Sequence, residues 1–227
     1  TDTFTRMKLN RFIDHTLLKP TATKEDIIQL CKDAKDYKFF SVCVNSCYVG
    51  LAKAELINCD VNVCSVIGFP LGAMSTRAKV LETQQALKEG ADEIDMVINL
   101  GFLKSKDYNA VCNDIEAVKN VMPNKVLKVI LETCYLNDDE IIKASELAIQ
   151  SGADFIKTST GFGTRGATIN DVKLMKSVAE NSNVKIKASG GIRDYKTAME
   201  FINLGVERLG VSSGIAIMNG EQAESDY

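Results

Sequence analysis

Asp154-Phe-Ile-Lys-Thr-Ser-Thr-Gly161 is an apolar strand that ends in a lysine and runs into a glycine-bearing loop. Val184-Lys-Ile-Lys-Ala-Ser-Gly-Gly191 repeats the pattern one strand–helix unit later. Outward from these two segments, short β-branched runs alternate with amphipathic helical stretches along the whole chain. The predicted strands cover residues 11–16, 40–44, 61–67, 93–98, 126–131, 155–158, 184–188 and 208–211.

The segments between these strands carry helix signals. Residues 24–37 and 138–150 each place apolar side chains on one helical stripe. Asn137 followed by Glu140 indicates a variant of the capping box, and Asp194 is a suitable N-cap. Glycines at positions 90, 152 and 205 stand where helices commonly end.

Eight strands, each followed by a helix, in 227 residues predict an α/β fold of the single-domain (β/α)8 TIM barrel type. A doubly wound open sheet is the structural alternative, which periodicity does not exclude. The barrel is favoured because an eighth strand and a short last helix at residues 213–218 are present. No Gly-x-Gly-x-x-Gly pattern follows the first strand either. We expect one domain over residues 1–227, with a short tail at 219–227 that can be mobile.

Composition excludes several classes of protein. A net charge of −3 gives no reason to expect nucleic acid or a membrane surface as a partner. No apolar run reaches transmembrane length, and the N-terminus lacks a signal-peptide pattern. Seven cysteines without scaffold spacing predict reduced thiols in a cytoplasmic protein. Cys43 and Cys47 form a C-x3-C pair, but no second pair accompanies them, so no zinc site is expected.

Four charged residues interrupt consecutive apolar strands. Inward positions of a small barrel are normally filled by bulky apolar side chains, so polar exceptions are informative. A single such lysine is ordinarily a strand-end charge facing solvent, but four in neighbouring strands weaken that interpretation. Lys185 shares a face with Lys187, and we favour Lys187 because it lies nearer the carboxyl end of its strand. The four residues are Asp95, Lys128, Lys157 and Lys187.

The two strand-end lysines suggest covalent chemistry. An ammonium group inside a mostly apolar segment loses hydration, and this favours the neutral amine. A second cation nearby acts in the same direction. Because a neutral amine can condense with a carbonyl, Lys157 and Lys187 together predict a Schiff-base enzyme.

Two turns predict a phosphate site. Gly190 and Gly191 follow strand seven, and Ser212 and Ser213 follow strand eight and open a short helix. Backbone N–H groups at such turns bind anions, and barrels often bind phosphate after these two strands. A Gly-Gly pair alone is more often only a turn, but its neighbouring Ser-Ser-Gly strengthens the prediction. Thr158 can add a hydroxyl donor.

Asp14-His15-Thr16 ends the first strand and contains the only histidine. A lone histidine is usually structural. We therefore expect Asp14 or Thr16, rather than His15, to assist substrate hydroxyls.

Segments along nearly the whole chain resemble the deoxyribose-phosphate aldolases, a family of class I aldolases. Each segment falls at a predicted strand end, in the order found in the family. They are Ile13-Asp-His-Thr16, Ser41-Val-Cys-Val-Asn45, Val66-Ile-Gly-Phe-Pro-Leu-Gly72, Glu93-Ile-Asp-Met-Val-Ile-Asn99, Leu127-Lys-Val-Ile-Leu-Glu-Thr133, Ala153-Asp-Phe-Ile-Lys-Thr-Ser-Thr-Gly161, Lys187-Ala-Ser-Gly-Gly-Ile-Arg193 and Gly210-Val-Ser-Ser-Gly214. The resemblance implies reversible cleavage of 2-deoxy-D-ribose 5-phosphate to D-glyceraldehyde 3-phosphate and acetaldehyde, in deoxyribose phosphate catabolism.

The resemblance also implies a role for each matching residue. Lys157 matches the Schiff-base lysine, and Lys187 matches the second lysine, which favours the neutral form of the first and relays protons. Asp95 matches the acidic proton-transfer residue, and Lys128 a supporting lysine that contacts substrate. Tyr227 resembles a C-terminal tyrosine that reaches the site in some members.

No organic or metal cofactor is expected, because the iminium itself is the electron sink. Dimers and tetramers occur in the family, so a homodimer or a homotetramer is implied.

Three other functions compete with this interpretation. Another phosphosugar aldolase of the same barrel type would use the same lysine on a different aldehyde donor. A metal-dependent phosphosugar epimerase would need several histidine and acidic ligands. A non-catalytic phosphosugar-binding module would have no reason to carry two lysines inside its barrel.

Overall fold

The computed structural model describes residues 8–224, and within them eight parallel strands close into a barrel in sequence order. β1 and β8 pair in parallel, with Ile13 opposite Leu209, and this pairing closes the sheet. The predicted barrel is therefore confirmed, and the open doubly wound sheet is excluded. The strands are β1 Ile13–Leu17, β2 Ser41–Val44, β3 Asn62–Ile67, β4 Glu93–Val97, β5 Val126–Ile130, β6 Phe155–Lys157, β7 Lys185–Ser189 and β8 Arg208–Val211.

Helices follow the strands around the outside of the barrel. The two helices predicted at residues 24–37 and 138–150 have these bounds in the structure. None of the described helices is long and apolar enough to cross a membrane. The helices are α1 Lys24–Tyr37, α2 Val49–Glu55, α3 Thr76–Glu89, α4 Leu100–Lys104, α5 Tyr108–Asn120, α6 Asp138–Gln150, α7 Ile169–Ala179, α8 Tyr195–Asn203 and α9 Gly214–Asn219.

Side-chain capping sets the start of several helices. Asn137 and Glu140 form both halves of the predicted capping box at the start of α6. Asp194 accepts a hydrogen bond from the backbone N–H of Thr197 at the start of α8. At the other end of α3, Gly90 takes a left-handed conformation with φ of 111°, which glycine adopts without steric cost.

Strand alternation separates two environments in the barrel. Side chains of one set, such as Ile13 and Val42, belong to the large apolar cluster that includes residues of the surrounding helices. A small separate cluster contains Cys43, Cys64 and Val66. The remaining inward positions at the centre are largely charged, and they form the site described below.

A buried ion pair joins two helices outside the barrel. Lys79 of α3 and Asp114 of α5 lie 2.6 Å apart and are almost fully buried. The Lys79 ammonium also donates to the carbonyl of Val97, at 3.0 Å, and Thr76 donates to Asp114. Burial lowers the pKa of Lys79, and Asp114 opposes this effect only in part.

Replacing Lys79 with methionine is expected to lower the free energy of unfolding by roughly 3 kcal/mol, because Asp114 is left as a buried, unpaired charge. The double variant Lys79→Met/Asp114→Leu should recover most of this loss, because it buries no charge. Urea unfolding of the two variants checks the prediction. A single variant as stable as the parent would contradict it.

Candidate active site

The structure brings the four charged residues of the central strands together. Asp95 accepts hydrogen bonds at one carboxylate oxygen from Lys157, at 3.1 Å, and from Lys187, at 2.8 Å. Its other oxygen accepts from Lys128, at 2.9 Å. All four side chains are buried. Asp95 is therefore the hub on which the three lysines converge.

Strand register explains this convergence. Lys157 of β6 lies opposite Lys187 of β7, and Asp95 of β4 lies opposite Lys128 of β5. Lys157 pairs with Ile130, which is two residues beyond Lys128 along β5. Because alternate residues share a face, Lys128 and Lys157 both point inward. Lys157 lies two residues closer to the carboxyl end of the barrel than Lys128 does.

A second group of charges lies beside the hub. Asp14 of β1 accepts from Lys187, at 2.6 Å, and from Arg208 of β8, at 2.9 Å. Glu93, two residues before Asp95, accepts from Arg208 at 2.7 Å and from Lys128 at 2.8 Å. The site is thus a connected ionic network, which extends the four charged residues predicted from the sequence by Asp14, Glu93 and Arg208.

The network contains one more basic side chain than carboxylates. Its basic members are Lys128, Lys157, Lys187 and Arg208, and its acidic members are Asp14, Glu93 and Asp95. Loss of a single proton from an amine would balance these charges. Among residues 8–224, Lys157 pairs only with Asp95, whereas Lys187 pairs with two carboxylates and Lys128 with three. Lys157 is therefore the amine whose neutral form disturbs the fewest contacts.

The other two lysines are held in the charged form. Burial would lower the pKa of Lys187, but the carboxylates of Asp14 and Asp95 outweigh it, and the pKa lies above its usual value. Burial also opposes the charge of Lys128, whose pKa Asp95 and the other nearby anions raise. Lys187 thus has the character of a proton-holding ammonium close to Lys157.

The carboxylates are held ionised by the same contacts. Burial alone would raise the pKa of Asp95, but Lys128, Lys187 and Lys157 hold it well below the usual range. For Asp14, burial is likewise outweighed, by Arg208 and Lys187, and its pKa is lowered. In the resting site Asp95 is thus a weak base, which can take up a proton only when its lysine contacts rearrange.

The predicted supporting residues of strand one have different positions. Asp14 is fully buried, and besides the network it accepts from Ser41 at 2.6 Å, so its oxygens are already engaged by the protein. Thr16 donates to the backbone carbonyl of Asp14 at 2.8 Å. The ring of His15 lies 5.0 Å from the ring of Phe39, which belongs to the large apolar cluster.

Lys185 and Lys187 differ in how far their side chains are exposed to solvent. Its side chain is 53% exposed and lies 3.6 Å from Glu207 at the amino-terminal rim of the barrel. Lys187, two residues later, is fully buried. The choice of Lys187 from the sequence therefore agrees with the burial of the two lysines.

The turn after β7 has the left-handed glycine backbone that is common in anion-binding turns. Gly190 and Gly191 have φ values of 81° and 77°. A Cβ at Gly191 would meet no atom within 4 Å, so there is space beside its Cα. At Gly166 a Cβ would overlap the carbonyl of Gly190, and the N–H of Ala167 donates to that carbonyl at 3.1 Å. The loop after β6 thus packs directly against this turn.

Ser212 and Ser213 line a cavity of about 610 Å³ between the ends of β1 and β8 and helix α1.

The hydroxyl of Thr158, which was predicted to donate to phosphate, is hydrogen-bonded to the backbone of Ser189 instead. The hydroxyl donates to the carbonyl of Ser189 at 3.2 Å and accepts from the N–H of Ser189 at 3.1 Å. A bound phosphate would have to displace the hydrogen bond that Thr158 donates to the Ser189 carbonyl, whereas the one that it accepts could remain. Tyr227 lies outside the described residues.

Sequence reasoning missed Glu93 and Arg208 in the charged network and Glu132 beside the loop that follows Lys157. Glu93 and Arg208 stand in apolar strands as Asp95 does, so the rule applied to Asp95 would have found them. Glu132 has a left-handed backbone, with φ of 55°, and accepts from both the N–H and the hydroxyl of Thr160. It thereby fixes the loop that follows Lys157, and no pattern in the sequence indicated this role.

Comparison with known proteins places the chain in a family. The sequence profile of DeoC/LacD family aldolases matches residues 10–220. A protein from Clostridium tetani named deoxyribose-phosphate aldolase is 55% identical over 213 residues, which cover 93% of this chain and 98% of that protein. A protein of the same name from Streptococcus suis is 52% identical over 221 residues, covering 97% of this chain and 100% of its own.

Solved structures agree with these sequences. An aldolase described as QR15 is 45% identical, with a TM-score of 0.89, and the match covers 93% of this chain and 94% of that one. A tetrameric deoxyribose phosphate aldolase from Aeropyrum pernix is 35% identical, with a TM-score of 0.85 and coverage of 94% and 91%. By profile, sequence and fold together, the chain belongs to the DeoC/LacD family of aldolases.

Proposed function

We propose that this protein is a class I aldolase that reversibly cleaves 2-deoxy-D-ribose 5-phosphate to D-glyceraldehyde 3-phosphate and acetaldehyde. The observation that carries the proposal is the buried pair of Lys157 and Lys187, bridged by Asp95 inside the barrel. Relatives at 52% and 55% identity are named for this activity. The reaction belongs to deoxyribose phosphate catabolism.

In the synthetic direction the neutral amine of Lys157 attacks acetaldehyde and forms a carbinolamine. Loss of water then gives an iminium, and we assign protonation of the leaving hydroxyl to the ammonium of Lys187. The iminium withdraws electrons from the adjacent methyl carbon and makes its protons acidic. No metal or organic cofactor enters this sequence of steps, because the iminium accepts the electron pair.

Proton transfer at carbon is assigned to Asp95 and Lys187. The Asp95 oxygen that contacts Lys157 also contacts Lys187, so both groups lie near the carbon attached to the Schiff base. One water molecule between this pair and the methyl group would carry the proton away and leave an enamine. Lys128 and Asp14 support the arrangement by fixing Asp95 and Lys187.

The enamine carbon then attacks the aldehyde of D-glyceraldehyde 3-phosphate. We assign its phosphate to the N–H groups and hydroxyls of the two turns, formed by Gly190 and Gly191 and by Ser212 and Ser213, with Thr158 recruited on binding. Holding both reactants replaces a bimolecular encounter with a positioned one, which contributes about 7 kcal/mol or more in well-oriented systems.

Borohydride reduction in the presence of acetaldehyde is expected to add one ethyl group at Lys157, because only an iminium is trapped in this way. Peptide mass spectrometry locates the modified residue, and Lys157→Leu is the matched control. An ethyl group on another lysine, with Lys157 unmodified, would refute the assignment.

The carbonyl compound used as donor separates this proposal from its nearest rival. Acetaldehyde should support carbon–carbon bond formation with D-glyceraldehyde 3-phosphate, whereas dihydroxyacetone should not. A preference for dihydroxyacetone would indicate another phosphosugar aldolase. The same trapping would still occur at Lys157, so the mechanism and the substrate are tested independently.

We further propose that the protein works as a homodimer or homotetramer in the cytoplasm. The solved relative from Aeropyrum pernix is described as tetrameric, which supports an assembly of identical chains. All seven cysteines lie in the described region and are free, which suits a reducing compartment. Light scattering on the purified protein measures the assembly, and a monomer at all concentrations would contradict it.

A further inference from the structure

Two cysteines that the mechanism does not use lie against the central carboxylate. Cys43 of β2 is opposite Cys64 of β3 in the strand register, and both are fully buried. The Cys64 thiol donates to an Asp95 oxygen at 3.2 Å. The two sulfur atoms and a carboxylate oxygen of Asp95 all lie within 4.8 Å of one another.

This donor set suits a thiophilic cation. Two thiolates and one carboxylate are ligands that Zn²⁺ and Cd²⁺ accept, with the fourth position left to water. Ligand atoms in a tetrahedral zinc site lie about 3.3–3.8 Å apart, given zinc–sulfur and zinc–oxygen bonds of about 2.3 and 2.0 Å. No pair of ligand atoms therefore needs to move closer by more than about 1.5 Å, which side-chain rotation can supply.

We propose that Cys43, Cys64 and Asp95 bind one thiophilic divalent cation, and that the bound cation reversibly inhibits the enzyme. Inhibition follows from the position of Asp95, which is the carboxylate shared by Lys157 and Lys187. A cation bound at the Asp95 oxygen that faces Cys64 and Lys128 neutralises part of the negative charge with which the other oxygen holds both amines. The inhibition, but not the binding, rests on the proposed aldolase function.

Charge balance allows a cation to enter a region rich in lysine. Lys128 lies 3.5 Å from the Cys64 sulfur and contacts Asp95 directly, so an added positive charge would be repelled. When a divalent cation binds, each thiol releases its proton, and the two sulfur–hydrogen bonds are replaced by two sulfur–metal bonds. Two protons leave as one cation with two charges enters, so the net charge of the network is unchanged.

The C-x3-C spacing in the sequence pointed to a different pair of cysteines. Cys47 is exposed, in the short turn Ser46–Tyr48, and is not part of the buried group. Cys64 is 21 positions after Cys43 along the chain, and only the pairing of β2 with β3 places the two side by side. The difference between Cys47 and Cys64 supplies a matched control.

Binding is tested with Zn²⁺ or Cd²⁺ alone, in the absence of substrate. Equilibrium dialysis should find one buried Zn²⁺ per chain, and Cd²⁺ should produce the ultraviolet band of thiolate coordination. Cys64→Ser keeps a hydroxyl to donate to Asp95 but removes a sulfur ligand, so it should weaken binding about 100-fold. Cys47→Ser makes the same chemical change at an exposed position and should bind Zn²⁺ as the parent does.

Activity is then followed as Zn²⁺ is added and as a chelator removes it. The parent and Cys47→Ser should lose turnover with a midpoint equal to the dialysis constant, and chelator should restore it. The proposed metal site would be refuted by an equal loss of binding in the two serine variants. It would also be refuted if Cd²⁺ produced no thiolate band in the unmodified protein. Binding of Zn²⁺ without loss of turnover would refute the proposed inhibition. A wrong substrate would leave the dialysis result unchanged.

Discussion

Replacement of Lys187 by leucine is expected to lower kcat/KM by about 10³-fold, because the variant lacks the ammonium that transfers protons beside the Schiff base. The same change should lower the free energy of unfolding by roughly 3–5 kcal/mol. The second effect arises because Asp14 and Asp95 each lose a buried ion pair with Lys187, at 2.6 and 2.8 Å. Steady-state kinetics per folded enzyme and urea unfolding measure the two effects separately.

Lys185→Leu is the matched control on the same strand. Its side chain is half exposed, and its contact with Glu207 is a surface ion pair at 3.6 Å. Such pairs contribute about 0–1 kcal/mol, so stability and rate should stay close to those of the parent. If folded Lys187→Leu turns over at the parental rate, Lys187 has no place in the mechanism.

Local patterns in the sequence were sufficient for the fold. The β-branched runs predict each strand to within two residues, and α1 and α6 have the predicted bounds, because their caps and apolar stripes are local features. The first strand was predicted from residue 11, but Asn10–Phe12 form a short 3-10 turn before β1. Closure of the barrel also followed, because eight strand–helix units of this length leave few other arrangements.

The partners within the site could not be predicted in the same way. Charged residues in apolar strands indicated Asp95 and the three lysines, since inward positions in a barrel face one another. Contacts such as Arg208 with Asp14 join strands 194 positions apart, and they depend on the register in which β8 meets β1. The hydrogen bonds of Thr158 with the backbone of Ser189 depend on register in the same manner.

Arg208→Met is expected to lower the free energy of unfolding by about 5 kcal/mol, because Arg208 pairs with two buried carboxylates, Asp14 and Glu93. It should also move the acid limb of the kcat/KM profile to higher pH. Three lysines would then face three carboxylates, so the network would lose its excess of one positive charge, and it would resist further loss of protons. We expect kcat/KM near neutral pH to fall about tenfold.

Glu93→Gln is expected to act in the opposite direction on the pH profile. Four basic side chains would then face two carboxylates, so the excess of positive charge in the network would grow and would favour loss of a proton from it. The thiols of Cys43 and Cys64 also face this network. Because both are present in every variant, they do not account for a difference between the profiles.

The double variant Arg208→Met/Glu93→Gln removes one charge of each sign and restores the original excess of a single basic group. Its acid limb should therefore return close to that of the parent, even though both side chains of the pair are gone. A merely structural role for Arg208 and Glu93 predicts additive damage with no return of the profile. Rates measured from mildly acidic to alkaline pH on the three folded variants distinguish the two cases, because only charge balance makes the single changes shift the profile in opposite directions.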